Sequence, residues 1–326
     1  MKALKPLITI TLIHQFLYLQ VTAQVLHYSF QEVLSNDYRC DFLFVSLKES
    51  FENATELSTP HLPDKTDDDV QSVEYRHGAF SLKFPSMICD KFKNLKSINM
   101  ESGFVGKVDE KMLENCTNLE KFRMNSLSED TLPENLFKNT TKLRMLYIFS
   151  ISLKTFSRGV LATVNQTLTD LELSIRSDSF TFPSDFLVPL SNLRSLELTI
   201  GKLTNLPPTF FENSEKLEVL RMVECNIQDL PKDIFKPLIN LQELDLSRNN
   251  LKVVHSDSFG SHPSLMTVDI SGSPTSIDPK LYQLPSLLYV RMPISCGKSI
   301  LVEDNLNGTK IKMNSDKCTA SYKPRY

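Results

Sequence analysis

Side chains able to do covalent or metal chemistry are present in this chain but never gathered. Of its six histidines, His14 lies in an N-terminal apolar run, while His27, His61, His77, His255 and His262 are scattered. None belongs to an HExxH pair, and no GxSxG elbow, GxGxxG turn or P-loop occurs, so neither zinc hydrolysis, acyl transfer nor nucleotide chemistry has a scaffold. His255 and His262 fall in a polar stretch and read as surface residues. Glu243 and Asp245 are an acid pair two residues apart, which reads as solvated charge on one side of a strand. Six cysteines without a close Cys or His neighbour leave zinc unsupported, and Asp67-Asp68-Asp69 offers a calcium ion no more than a solvated loop. No catalytic residue, metal site or cofactor is expected.

The elements that must position any site come from a repeat. Writing a for its first apolar residue, copies begin at Val70, Leu95, Leu119, Leu143, Leu168, Leu193, Leu217, Leu241, Leu265 and Leu287, each with apolar residues at a+3 and a+5. A large apolar side chain precedes most of them by six residues: Leu113, Phe137, Leu187, Phe211, Phe235, Phe259 and Leu281. Another follows near a+13, often before proline, as in Leu132-Pro133, Leu206-Pro207 and Leu230-Pro231. A fixed period of this length predicts stacked coils that bury one another's apolar residues, with function on a surface. Residues a+3 and a+5 then point into the core, and a+2, a+4 and a+6 point away from it. Paired in parallel at about 4.8 Å, ten such strands make a sheet on the order of 40 Å long, backed by turns and short helical pieces.

These residues resemble the extracellular leucine-rich repeat of about 24 residues, LxxLxLxxNxLxxLPxxxFxxLxx, over roughly residues 70 to 295. The resemblance implies an α/β solenoid, a horseshoe with a concave parallel β-sheet and disulfide-stapled caps. Only Asn249 keeps the family's asparagine at a+8, with Cys225 its usual substitute. Elsewhere stand Gly78, Gly103, Leu127, Ile151, Arg176, Gly201, Ser273 and Ser295, so the units at Leu119, Leu143 and Leu168 are expected to be irregular. An extra residue between Arg176 and Phe182 reads as a bulge.

Four segments follow: a signal peptide at 1–23, an N-terminal cap and acidic loop at 24–69, about ten repeats at 70–295, and a C-terminal cap and tail at 296–326. The leader is basic at its start, apolar from Leu7 to Val21, and ends in Val21-Thr-Ala23 before Gln24. No later stretch reaches the roughly 20 apolar residues of a membrane span, so a secreted, extracellular protein is expected. Sequons at Asn53, Asn115, Asn139, Asn165 and Asn307 agree with export, and three of them fall just before an a position, on the outer side of the coil. Six cysteines allow fifteen complete pairings. Position favours Cys40 with Cys89 and Cys296 with Cys318, one bridge at each end, leaving Cys116 and Cys225 as small buried residues.

With 23% charged residues and a formal net charge of −3, the chain lacks the excess of basic charge that nucleic-acid binding requires. The useful product of the register is the open face. Most rungs there are polar, but one carries Met145, Tyr147 and Phe149, beside Lys121 and Arg123 on one side and Asp170 and Glu172 on the other. Large apolar residues facing water predict a protein interface, with an extracellular protein ligand or receptor as partner. Cys40-Asp-Phe-Leu-Phe-Val-Ser-Leu47, the leader and the degenerate coils make the chain similar to secreted leucine-rich repeat proteins of insects. It resembles in particular mosquito leucine-rich immune molecules lacking the coiled coil and, more distantly, Toll-like receptor ectodomains. That resemblance implies innate immune recognition; a developmental or cell-adhesion ligand for a membrane receptor is the alternative.

Overall fold

The computed structural model describes residues 61–76, 87–100, 108–127, 129–181, 183, 185–204, 206–260, 262–272 and 284–293, with the short pieces 24–26, 29–32, 38–43, 54–57, 276–278, 280–281, 310–314 and 319–323. The leader, His27, His77, Asn53, Asn307, Cys296 and Cys318 lie outside the described residues, and so does the Cys296–Cys318 pairing.

One sheet of fourteen strands organises what is described. In chain order these are β1 (Ser29–Glu32), β2 (Tyr38–Leu43), β3 (Val70–Arg76), β4 (Ser97–Met100), β5 (Lys121–Leu127), β6 (Met145–Ser150), β7 (Asp170–Ile175), β8 (Ser195–Ile200), β9 (Val219–Met222), β10 (Glu243–Asp245), β11 (Thr267–Asp269), β12 (Tyr289–Pro293), β13 (Lys310–Asn314) and β14 (Thr319–Lys323). From β2 to β12 every strand pairs in parallel with the next in sequence, one per coil. At the ends the direction reverses: β1 pairs antiparallel with β2, and β14 lies antiparallel between β12 and β13. Such antiparallel neighbours occupy backbone groups that an end coil would leave open. The fold is therefore a leucine-rich repeat horseshoe.

Alternation puts the core on one side of this sheet. Strands β6, β7 and β8 bury every second residue. All ten a residues are buried, as are the partners at a+3, from Val73 to Val290. Behind them the residues six before a form a second column, in which Phe235 stacks between Phe211 and Phe259 at ring distances of 5.9 and 5.4 Å. Burying each such ring contributes about 1.5–3 kcal/mol, and only neighbouring coils can supply the contact. The wall opposite the sheet is made of turns, the short helices Met87–Lys91 and Arg158–Ala162, and the 3₁₀ turn Ser256–Ser258.

In three coils a buried side chain closes the turn after the strand. Asn249 accepts at Oδ1 from the amides of Cys225 and Ile227 at 3.0 and 3.1 Å, and donates from Nδ2 to the carbonyls of Met222 and Leu246 at 2.6 and 2.8 Å. One coil earlier the Cys225 thiol donates to the Leu198 carbonyl at 3.2 Å, and burial pushes its pKa up to about 12. In the Leu143 coil the work passes to Ser150 at a+7. Its hydroxyl donates to the Leu127 carbonyl at 2.9 Å and accepts from the Ser152 and Leu153 amides. Among the described residues, the irregularity expected in this region shows as a register shift between Met124 and Leu127. The extra residue near Arg176 to Phe182 leaves the ladders of β7 in register and is taken up after the strand.

Two readings of the sequence need correction. The expected Cys40–Cys89 bridge is not formed: Cys89 is bonded to Cys116, their Cα atoms 5.1 Å apart, because Cys116 lies three residues before its a position, one coil along. Cys40 stays a free thiol, buried opposite Val73, and burial raises its pKa. His262, expected on the surface, is buried at the same a−3 position, which in other coils holds Leu190 or Leu238. At the N-terminal end the acidic loop is tied down through a polar chain. Tyr38 accepts from the Leu62 amide at 3.0 Å and meets His61 Nδ1 at 3.1 Å; His61 reaches Asp67 at 2.9 Å, and Lys91 pairs with the other Asp67 oxygen. Among the described residues no helix is long and apolar enough to cross a membrane.

Replacing Asn249 by Ala leaves two amide donors and two carbonyls buried without that partner, so a loss of about 2–4 kcal/mol is expected, read as a lower urea midpoint. His262 is held neutral, its pKa lowered chiefly by burial, with a backbone bond to Leu238 opposing. Below a pH of about 6.5 the unfolded chain takes up a proton that the folded chain refuses, so stability falls on acidification. His262→Leu should remove this part of the pH dependence between pH 7 and 5, measured by thermal melts at stepped pH.

Candidate functional site

In-register pairing turns the outward residues of the sheet into columns. One column at a+4 runs, strand by strand, through Asp41, Glu74, Asn99, Arg123, Tyr147, Glu172, Glu197, Arg221, Asp245, Asp269 and Arg291. The a+2 column beside it carries Lys121, Met145, Asp170 and Ser195. All seven residues singled out from the sequence lie on this open face: Lys121, Arg123 and Met145 are exposed, and Tyr147, Phe149, Asp170 and Glu172 are half-buried. Between Lys121, Arg123, Tyr147, Glu172, Glu197 and Arg221 lies a trough of about 350 Å³.

The centre of the column is an interlocked set. The Arg123 guanidinium lies over the Tyr147 ring, 4.2 Å from its centroid, and points towards Glu172 at 3.9 Å. On the far side Arg221 bridges Glu197 at 3.4 Å and Glu243 at 2.8 Å. Glu172 and Glu197 are neighbours in the ladder with no basic residue between them. Partial burial and then the Glu197 charge hold the Glu172 carboxyl above the usual range, while Arg123 and Arg221 pull the other way. Burial likewise raises the Tyr147 hydroxyl, with Glu172 adding to it and Arg123 opposing. Near the N-terminal end Arg39 joins Asp41 at 2.7 Å and Glu74 at 2.8 Å, which neutralises two buried carboxylates of the same column.

Reading rung by rung omits Arg221, although its a+4 place was visible in the spacing from Leu217. It also omits Arg176, which occupies the a+8 position of its coil and stands 5.8 Å from the Phe149 ring centroid. A further column escapes it altogether. At a−1, the Nδ2 groups of Asn94, Asn118 and Asn240 each donate to a carbonyl of the preceding coil at 2.8–2.9 Å. The signal was the recurring Asn-Leu at the start of the repeat. The sequon residues Asn115 and Asn139 lie on the outer turns, donating to the Asp90 carboxylate and the Glu114 carbonyl at 2.8 Å.

Two repeat models match: the leucine rich repeat over residues 215–274, and the BspA type leucine rich repeat region over residues 84–182. The coils are leucine-rich repeats. Among curated relatives, rat leucine-rich repeat-containing G-protein coupled receptor 5 is 28% identical over 115 residues, 35% of this chain and 12% of the receptor. Rat osteomodulin is 28% identical over 179 residues, 53% of this chain and 41% of osteomodulin. Protein halfway of Drosophila pseudoobscura is 35% identical over 82 residues, 25% of this chain and 13% of that protein. The chain thus spans less than half the length of these relatives. Of solved structures, a chain of the Drosophila Toll–Spatzle complex superposes with TM-score 0.56 at 18% identity, over 76% of this chain and 38% of that one. A leucine-rich repeat protein of Leptospira interrogans gives 0.55 at 21%, over 68% and 54%. These likenesses establish the fold.

The Glu172 environment is directly testable by carboxyl NMR titration. Glu197→Gln should lower the Glu172 pKa, and Arg123→Ala should raise it further; shifts of the opposite sign would contradict the arrangement of the column.

Proposed function

We propose that this is a secreted leucine-rich repeat protein that captures another extracellular protein on its concave face, in innate immune recognition. The observation that carries the reading is the outward placement of Met145, Tyr147 and Phe149 on β6, where the flanking strands present charge. Lys121, Arg123, Asp170 and Glu172 supply the polar rim, a composition suited to an apolar anchor ringed by charge. Secretion is supported by the leader pattern before Gln24, and glycans at Asn53, Asn115, Asn139, Asn165 and Asn307 fit such a route. Glycans at Asn115, Asn139 and Asn165 would project from the outer turns and leave the sheet open. The immune reading draws on the insect resemblance and on the likeness to a chain of the Toll–Spatzle complex, described as a hub in Drosophila development and innate immunity.

Tagged protein passed over extracellular fluid, with bound proteins identified by mass spectrometry, should retain a defined partner. The double variant Tyr147→Ala and Phe149→Ser should lose it while being secreted at the normal level. Undiminished capture by that variant rejects the concave site, and retention of a membrane receptor with developmental expression favours the alternative role.

A further inference from the structure

β6 differs from every neighbouring strand in what it shows to the open side. Met145 is 43% exposed, Tyr147 and Phe149 follow at two-residue intervals, and Ile151, just past the strand, is 62% exposed. From Met145 to Ile151 this stripe runs about 20 Å along the strand direction, across the sheet and not along the solenoid. One rail beside it is basic, Lys121 and Arg123 on β5; the other is acidic, Asp170 and Glu172 on β7. Beyond that rail Glu197 on β8 is already bridged by Arg221, and Arg176, just past β7, stands beside Phe149 at the far end of the stripe. An apolar ridge between rails of opposite sign is a template with a definite complement.

Backbone chemistry narrows that complement. Both edges of β6 are already paired, so the face offers side chains and no main-chain partners. A segment lying on it must satisfy its own amides and carbonyls, which an α-helix does internally. At 1.5 Å per residue, about 13 residues of helix match the stripe. Resting on the reading of the concave face as a protein-binding surface, we infer that the occupant is an amphipathic helix of the partner laid along β6, its apolar ridge on Met145, Tyr147 and Phe149, its acidic flank over Lys121 and Arg123 and its basic flank over Asp170 and Glu172. Arg123 is the movable part. It is 48% exposed, rests on the Tyr147 ring and makes only a long contact with Glu172. A carboxylate on the arriving helix draws the guanidinium off the ring and opens it to the helix ridge, while a basic residue of the helix takes over the Glu172 charge.

Three synthetic helical peptides with the same apolar ridge test this on the full chain: one with a Glu flank and a Lys flank, one with Glu on both, one with Lys on both. Titrated by fluorescence anisotropy, the mixed peptide should bind about tenfold more tightly than either uniform one, since a mismatched flank sets like charges together. Lys121→Glu with Arg123→Glu makes both rails acidic and should transfer the preference to the all-Lys peptide; circular dichroism checks that the variant is folded. Met145→Ser should weaken the mixed peptide without reordering the three. Equal affinities, an unchanged order in the double variant, or no binding of any peptide while the protein partner is still captured would overturn the helix and leave the binding face standing. Loss of peptide binding together with capture that is indifferent to Tyr147→Ala and Phe149→Ser would reject the face itself. Sedimentation showing a dimer that Met145→Ser dissolves would assign the stripe to a second copy of the chain and overturn the inference.

Discussion

Registration of each strand on the one before it is the constraint that everything else in this molecule obeys. A slip of a single residue in a strand exchanges its two faces, bringing Tyr147 into the core and Leu146 into water. The slip is prevented not by the strands, which are short, but by the apolar residues at a and a−6. They are buried between coils and set the height and rotation of each turn. Where the strand is as short as Glu243–Asp245, the ladder still meets both neighbours in register, because Leu241 and Phe235 already fix the coil.

Turn closure is more permissive than that core. Asn249 makes the fullest set of bonds, Cys225 a reduced set, and in the Leu143 coil a serine one position earlier does the same job with a single hydroxyl. What has to be met is the demand of buried backbone groups for partners, and several side chains can meet it. This tolerance explains how coils with Ile151, Arg176 or Gly201 at a+8 still carry well-paired strands. Freed from the turn, those positions face outward, and Arg176 is the clearest case, standing beside the Phe149 ring.

The sheet, its order and the identity of its two faces were legible because they follow from a spacing repeated ten times, and repetition averages out local exceptions. The open-face residues were legible for the same reason. Single events were not. Cys40, Cys89 and Cys116 offered several pairings, and only the stacking of two particular turns selects Cys89 with Cys116. His262 was misjudged because its chain neighbours are polar, while the a−3 position it occupies points inward regardless. Arg221 illustrates a third kind of miss. Its place was implied by the period, but its role as a bridge between Glu197 and Glu243 depends on side-chain reach across two strand spacings, which no pattern of residue types encodes.

One consequence follows from the order in which charge is distributed over successive coils. With Lys121 and Arg123 on β5 and Asp170 and Glu172 on β7, separated by an uncharged strand, this part of the open face carries a local dipole directed along the solenoid. The field of a dipole exerts torque before contact, turning an approaching charged body about its own axis while it is still about one Debye length away, roughly 8 Å in physiological salt. Orientation is thereby selected during diffusion. Encounter rate should respond to ionic strength, whereas the lifetime of whatever complex forms is left to the uncharged strand between the poles.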